Sequence, residues 1–245
     1  FAAGDEVEVR LTVTAERAAS ALLVVGSHDP SLDRLAALLS PRHVELHSSH
    51  TGSMGGLLAL MRKDCHAAPI HLLSPDGSYN TGYLRQYLPG EEIVLLGIAG
   101  REQGVVSRDG IGIDDLPGRS FVNRQKGSGT RILLDYELSR RGIDPGTIPG
   151  YDRELTTHTA VALAVKSGDA DAGVCVFSAA KAFGLEFVPI STERYELAVR
   201  KEHRDDPRIR ALFSAVDSDE FRETLRSMGG YDTSITGTVR EVTGK

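Results

Sequence analysis

Three short segments of this chain combine glycine with hydroxyl side chains at points where a predicted strand is followed by a predicted helix. They are Gly26-Ser27-His28-Asp29, Thr51-Gly52-Ser53-Met54-Gly55-Gly56 and Gly127-Ser128-Gly129-Thr130. Glycine lets the backbone approach a ligand, Ser and Thr supply hydroxyl groups, and the first helical turn leaves N–H groups free with a partial positive charge. Any one of these turns could be an ordinary helix cap. Three turns at corresponding positions favour a binding site for a small anion.

Arg124 stands between a predicted strand and the third turn, where a guanidinium group could hold two oxygens of an anion; a solvated surface arginine is the alternative. The cluster Thr156-Thr157-His158-Thr159 opens another predicted helix and could add donors or only cap that helix. The candidate ligand-binding residues are therefore Ser27, Thr51, Ser53, Arg124, Ser128, Gly129, Thr130, Thr157 and His158.

Motifs of the common enzyme classes do not occur in the chain. It lacks a Gly-x-Ser-x-Gly elbow, a Walker loop and a Gly-x-Gly-x-x-Gly turn. The histidines lack metal-ligand spacing, which favours ordinary core or surface imidazoles. We therefore expect no catalytic residue, no metal site and no covalent cofactor in this chain.

The order of apolar runs and helical patterns predicts an α/β fold. Short apolar runs typical of buried strands alternate with stretches of helical periodicity, first over residues 21–98 and again from residue 121. This alternation predicts mainly parallel sheets in two lobes joined by a hinge. The predicted bounds are 21–97 plus 196–240 for lobe 1 and 98–195 for lobe 2, with crossovers near 97–104 and 189–194 and a polar tail after the last helix.

Residues 1–20 differ from the rest of the chain. Residues 5–14 alternate charged and apolar side chains, which predicts the tail of a preceding β-rich domain, and residues 15–20 are typical of a linker. We expect no signal peptide and a cytoplasmic location; an exported protein whose signal was removed is the alternative. Cys65 and Cys175 are expected to be buried thiols rather than a disulfide.

Composition excludes two classes of partner. The formal net charge is -6 in 245 residues and no basic run occurs, which argues against binding of nucleic acid. No segment is long and apolar enough to predict a membrane span. A small anion remains compatible with this charge, because local dipoles rather than net charge would hold it.

The segment Phe121 to Thr130 resembles the Phe-x-x-Arg and Ser-Gly-Thr stretch of tungstate-binding proteins of ABC transporters. Val25 to Leu32 and His50 to Leu57 are similar to the first two hydroxyl turns of those proteins, and Lys63 to Ala68 to a strand entry in which His66 replaces an acidic residue. The chain is more similar still to the periplasmic-binding-protein-like domain fused to molybdopterin molybdotransferase-type proteins or helix-turn-helix regulators. His66 to Leu73, Asp152 to Thr159 and Ser167 to Gly173 carry that similarity, which spans about 21–235.

The resemblance implies a type II binding-protein fold whose lobes close on molybdate or tungstate, as a sensor or delivery domain in molybdenum cofactor metabolism. It leaves open an effector-binding domain of a regulator or transporter that recognises another small anion or a pterin. The similarity of Gly4 to Val13 to the last β-strand of the molybdotransferase implies a C-terminal part of such an enzyme, fused to or associated with a molybdopterin-binding domain.

Overall fold

The computed structural model describes residues 20–243, so the predicted β-rich tail and linker at 1–20 lie outside the described residues apart from Ser20. The helices are α1 (Pro30–Leu39), α2 (Gly52–Arg62), α3 (Thr81–Tyr87), α4 (Gly129–Arg141), α5 (His158–Ser167), α6 (Phe177–Ala182), α7 (Pro207–Val216) and α8 (Asp219–Met228). The strands are β1 (Ala21–Gly26), β2 (Glu45–His50), β3 (Ala68–Ile70), β4 (Glu92–Ser107), β5 (Phe121–Arg124), β6 (Glu154–Leu155), β7 (Ala172–Val176), β8 (Glu186–Arg200), β9 (Tyr231–Asp232) and β10 (Val239–Thr243).

Two long antiparallel strands, β4 and β8, run through both lobes. They pair from Ile93 opposite Arg200 to Ser107 opposite Glu186. In the first lobe, β3 pairs with the end of β8 and β10 with the start of β4, while β1 and β2 form a parallel pair beside β3. In the second lobe, β7 pairs with the end of β4, and β5 lies parallel to β7 and β6. The lobes therefore share one continuous pair of strands.

The structure differs from the sequence prediction along these two strands. Residues 97–104 and 189–194, predicted as crossovers between separate strands, lie inside β4 and β8. Both segments contain charged and polar residues, which normally indicate a loop, but here they pair with one another in the interior. The sheet is consequently mixed rather than mainly parallel, and the predicted polar tail forms β9 and β10 against β4.

Four clusters of buried apolar side chains hold the helices on the sheets, two in each lobe. In the first lobe, Leu35 of α1, Leu212 of α7 and Phe221 of α8 are fully buried in one cluster. Each such side chain stabilises the fold by about 1.5–3 kcal/mol relative to exposure. The lobe bounds given above remain a prediction.

The two cysteines are buried thiols in different lobes. Cys65 lies in a first-lobe cluster and Cys175 in a second-lobe cluster, and neither forms a disulfide. Burial raises the pKa of Cys65 to about 11 and that of Cys175 to about 12. Both thiols are therefore protonated and unreactive at neutral pH. Within residues 20–243, no helix is both long and apolar enough to cross a membrane.

Candidate functional site

The predicted hydroxyl turns lie where strands end and helices begin. Asp29 caps α1 by accepting a hydrogen bond from the Ser31 N–H at 2.8 Å. Ser128 caps α4 by accepting from the Arg131 N–H at 3.2 Å. These caps satisfy donors that each helix start would otherwise leave open, and each contributes about 1 kcal/mol.

The second and third turns face each other across the lobes. The Met54 N–H donates to the Gly127 carbonyl at 3.1 Å. A Cβ on Gly52 would lie 3.3 Å from the Cα of Ser128. This tight approach and a φ of +77° at residue 52 both disfavour a side chain there, which favours glycine. The two loops are thus in contact in this closed arrangement.

His71 connects the three turns. Its Nε2 lies 2.7 Å from the Ser27 Oγ, and its backbone N–H donates to the Ser53 Oγ at 3.2 Å. A Cβ added to Gly129 would lie 2.4 Å from the His71 Nδ1, so the ring lies directly against the start of α4. The structure therefore brings Ser27, Ser53 and Gly129 together around His71, with Ser27 and Gly129 against its ring and Ser53 against its backbone.

Arg124, at the end of β5, is buried with 1% of its surface exposed. Its Nη2 donates to the Thr156 carbonyl at 3.0 Å and its Nε to the Gln125 Oε1 at 3.2 Å. The Nη1 has no hydrogen-bond partner, and Arg124 forms no ion pair within the described part of the chain. Burial, followed by the charge of Arg101, lowers its pKa to about 10, so the group is still a cation at neutral pH.

Two buried imidazoles near Arg124 also have ring nitrogens without partners. Both nitrogens of His158 and the Nδ1 of His28 are unbonded among the described atoms. Burial is the main cause that lowers the pKa of His28 to about 4 and that of His158 well below its usual value, and the Arg124 charge adds to both shifts. His28 stacks edge-on against His50 at 4.3 Å. Neutral imidazoles of this kind each offer one N–H donor.

A second buried arginine, Arg101 of β4, has two carboxylate partners, although its Nε is unbonded among the described atoms. Its Nη1 donates to the Asp29 Oδ2 at 2.6 Å and its Nη2 to the Glu193 Oε1, and its guanidinium lies 3.8 Å from the centre of the Tyr195 ring. Burial would lower the pKa of Arg101, but Glu193 and Asp29 more than offset this and raise it. Burial would likewise raise the pKa of Glu193, yet Arg101 and His71 lower it to about 2.

The remaining predicted residues lie on the same side of the fold. Thr130 accepts a hydrogen bond from the Gln103 Nε2 at 3.1 Å and is buried. Thr157 caps α5 by accepting from the Ala160 N–H at 3.0 Å. Thr51 is exposed and makes no side-chain capping bond to α2. His66, whose role the sequence left open, instead accepts from the Leu23 N–H and has Arg208 and Asp206 as its charged neighbours.

The sequence analysis did not identify four buried residues that hydrogen-bond the predicted site residues or one another. His71, Arg101, Gln103 and Glu193 were not among the candidates. The polar run Arg101-Glu102-Gln103 between glycines gave a signal, since polar residues inside a long apolar strand must find partners in the interior. His71 is a single imidazole next to an apolar run, which is a weaker signal of a buried polar residue.

A groove of about 620 Å³ opens beside this cluster. Helices of both lobes line it, including Pro30 and Arg34 of α1, Thr159 of α5, Lys181 of α6 and Met228 of α8. Thr159 directly follows His158 in the chain. A volume of this size is typical of a small-molecule site between two parts of a fold.

The family described as PBP superfamily domain matches residues 36–217. The YvgK protein of Bacillus subtilis is 30% identical over 226 residues, which cover 89% of this chain and 73% of YvgK. A substrate-binding protein with bound phosphate from Clostridium perfringens superposes with a TM-score of 0.66 at 12% identity, over 86% of this chain and 98% of that one. PhnD1 from Prochlorococcus marinus, in complex with methylphosphonate, superposes with a TM-score of 0.57 at 18% identity, over 86% of this chain and 90% of PhnD1.

These comparisons define the class of protein. The chain belongs to the PBP superfamily, and the predicted two-lobed α/β fold of the type II binding proteins is confirmed. It is a small-ligand-binding domain of that family. The identities to the two solved structures are low, so those likenesses concern the fold.

Proposed function

We propose that the chain binds a small tetrahedral oxyanion between its lobes, held by Arg124. The observation that carries the proposal is the buried Nη1 of Arg124, which has neither a hydrogen-bond partner nor a carboxylate in the described structure. Burying a cation without a counter-charge is costly, and a bound anion removes that cost. The free nitrogens of His28 and His158 supply neutral donors at the same place.

The hydroxyl turns add to this support. Ser53, Ser128, Gly129 and Thr130 lie at helix starts, where backbone N–H groups and the helix dipole favour an anion. The two carboxylates closest to the buried arginines, Asp29 and Glu193, are bound to Arg101, and no described carboxylate forms an ion pair with Arg124. A buried cation surrounded by donor groups is the complement of an oxyanion.

The identity of the anion has two lines of support. The sequence resemblance favours molybdate or tungstate and a role as a sensor or delivery domain in molybdenum cofactor metabolism. The structural neighbours with bound phosphate and methylphosphonate favour phosphorus oxyanions. All of them are small, tetrahedral and negatively charged, and the Arg124 site accommodates that shared chemistry.

Calorimetric titration with phosphate, sulfate, molybdate and tungstate tests the proposal. We expect at least one to bind, and Arg124→Gln to weaken binding by about 1.5–3 kcal/mol, roughly 10- to 150-fold. Arg226→Gln is the matched control, because Arg226 is exposed and far along the chain in α8, paired only with Glu223. Binding that Arg124→Gln leaves unchanged would remove Arg124 from the site.

The groove beside the cluster favours a second candidate function, the binding of an organic anion by an effector domain. Its volume of about 620 Å³ exceeds what a tetrahedral oxyanion needs, and its charged lining residues are Arg34, Lys181 and Asp33. In that case the anionic group would bind at Arg124 and the organic part in the groove. Phe183→Trp at the groove wall would report it, since its fluorescence would change with a carboxylate or pterin but not with an inorganic oxyanion.

A further inference from the structure

His158 is a fully buried imidazole whose two ring nitrogens have no hydrogen-bond partner in the described part of the chain. It is the first residue of α5, and the loop before it is tied to Arg124, whose Nη2 donates to the Thr156 carbonyl at 3.0 Å. A buried polar ring normally has partners for its nitrogens, because each open one costs free energy. The two open nitrogens of His158 therefore indicate a ligand close to Arg124.

His28, in the loop between β1 and α1, has the same property at its Nδ1. The residue is buried, and its ring contacts the ring of His50 edge-on with 4.3 Å between the centroids. The charge of Arg124 lowers the pKa of both His28 and His158, and the charge of His28 acts on His158 in turn. These imidazoles and Arg124 therefore form one electrostatically coupled group at the proposed anion site.

The buried charges around this group cancel in the empty protein. Arg101 and Arg124 bring two positive charges, and Asp29 and Glu193, both paired with Arg101, bring two negative charges. A dianion adds two further negative charges to a buried region, where an imbalance of charge is costly. A neutral imidazole beside the anion can bind a proton from solvent and so reduce that imbalance.

We propose that His28 and His158 take up a proton from solvent when an oxyanion binds at Arg124, so that capture of the anion and binding of the proton are coupled. This inference rests on the proposed oxyanion site and gives the two imidazoles the role of proton acceptors within it. A neutral ring meets an anion with one N–H donor and one lone pair, whereas a protonated ring meets it with two donors. Protonation therefore adds a donor and removes a repulsive lone pair.

The charged and titratable groups around His158 oppose its protonation in the empty protein. They are Arg124 of β5, Arg101 of β4, His28 before α1 and His71 after β3. Burial is the largest cause, and together with these groups it holds the pKa of His158 well below its usual value. A negative charge beside Arg124 offsets both the repulsion by that arginine and the cost of burial, so the bound anion reverses the balance that keeps the ring neutral.

His28 faces groups of both signs. Asp29, which caps α1, and Asp33 within α1 favour protonation of the ring, whereas His50 at the end of β2 and Arg124 oppose it. Burial is the largest cause, and the pKa of His28 is lowered to about 4. Because two carboxylates already act in favour of the charged ring, we expect His28 to be protonated before His158 when the anion arrives.

Titration calorimetry in buffers of different ionisation enthalpy counts the protons that are taken up with each anion. Sulfate and molybdate carry no proton near neutral pH, so a proton that enters with either of them is bound by the protein. We expect about one proton per anion at about pH 6 and almost none at about pH 8, with an affinity about ten-fold higher at the lower pH. No uptake at the lower pH, or equal affinities at the two pH values, would overturn the inference.

Substitutions assign the proton to these two rings. His28→Asn and His158→Asn each keep a polar side chain but remove the titrating group, and in the double variant we expect proton uptake to be lost and the affinity to be nearly independent of pH. His47→Asn is the matched control and should take up protons as the wild type does, because His47 is exposed on β2, with its Nε2 3.5 Å from the Glu45 Oε2. Wild-type uptake in the double variant would show that another group takes the proton.

Failure of this inference differs from failure of the proposed function. If no oxyanion binds, or if Arg124→Gln leaves every affinity unchanged, the oxyanion site itself is wrong. If Arg124→Gln weakens binding but the anion enters without a proton, only the role of His28 and His158 is wrong. If phosphate alone binds, its own proton contributes equally in every variant, and the difference in uptake between the wild type and each single variant decides.

Discussion

Among residues 20–243, two arginines have at most 1% of their surface exposed, Arg101 and Arg124, and their charges are compensated differently. Arg101 has two carboxylates and an aromatic ring around it, whereas Arg124 has a backbone carbonyl, an amide and an unbonded Nη1. Carboxylates raise the pKa of the first, and burial together with the charge of the first lowers the pKa of the second. Arg101 is held in a buried ion-pair network, whereas Arg124 has no carboxylate partner among the described residues.

Under the proposed function, this contrast is how the fold prepares a site for an anion. A buried ion pair neutralises itself, so it contributes to structure and does not attract a ligand. A buried cation without a partner costs free energy in the empty protein, and that cost is recovered when the anion binds. The carboxylates Asp29 and Glu193 form ion pairs with Arg101, and neither forms one with Arg124.

The largest expected effect comes from substituting Arg101, the arginine that has carboxylate partners. Arg101→Met leaves Asp29 and Glu193 buried without their cation, and we expect the free energy of unfolding to fall by about 3–5 kcal/mol. Urea denaturation measures this, with the exposed Arg226→Met as the control. If the free energy of unfolding falls by less than about 1 kcal/mol, the fold does not depend on this ion pair and the two arginines do not differ in their structural role.

Substitution of Arg124 should have the opposite effect on the free energy of unfolding of the empty protein. Arg124→Gln removes a buried cation that has no counter-charge, so the empty protein should be as stable as the wild type or more stable. Saturating oxyanion, in contrast, should stabilise the wild type by about 2.7 kcal/mol at a hundred times its Kd and the variant much less. Thermal unfolding with and without the anion gives both values. A clear loss of stability in the empty variant would assign Arg124 a structural role.

A smaller effect concerns pH. The pKa values of His28, His71 and His158 are lowered in the folded protein, so below pH 6.5 the unfolded chain binds protons that the folded chain does not. The free energy of unfolding of the empty protein should therefore fall as the pH drops from about 6.5 toward about 4. His28→Asn should reduce that slope. A stability that is flat over this range would contradict the neutral imidazoles next to Arg124.

The sequence predicted the parts of the fold whose causes are local. The apolar run at Ala21–Gly26 and the helical spacing and capping around Thr157 and Gly142 correspond to β1, α5 and the end of α4. The sequence did not predict that the crossovers at 97–104 and 189–194 lie inside two continuous strands, because their polar residues are satisfied by long-range partners: Glu193 meets Arg101 across 92 residues of chain. No local pattern encodes such a pairing.

In the candidate site, too, residues with a local sequence pattern were predicted and residues with long-range partners were not. The turns at Ser27, Ser53 and Ser128 were recognisable because glycine and hydroxyl residues follow strands, and the structure does bring these turns together around His71. His71 and Glu193 were missed, since His71 is a single imidazole after an apolar run and the polar neighbours of Glu193 are typical of an exposed segment. The roles of all the predicted contact residues remain predictions that the anion titrations test.

The two long strands shared by the lobes have a mechanical consequence. The pairing of β4 with β8 shifts register between Gly97 and Ala99 and again between Gln103 and Gly104, and Arg101 lies between these two irregularities. We expect bending between the lobes to concentrate where the pairing is irregular, and this stretch also carries Arg101 and Gln103, which donate hydrogen bonds to Glu193. A substitution there is therefore expected to change both how readily the lobes open and how Glu193 holds His71.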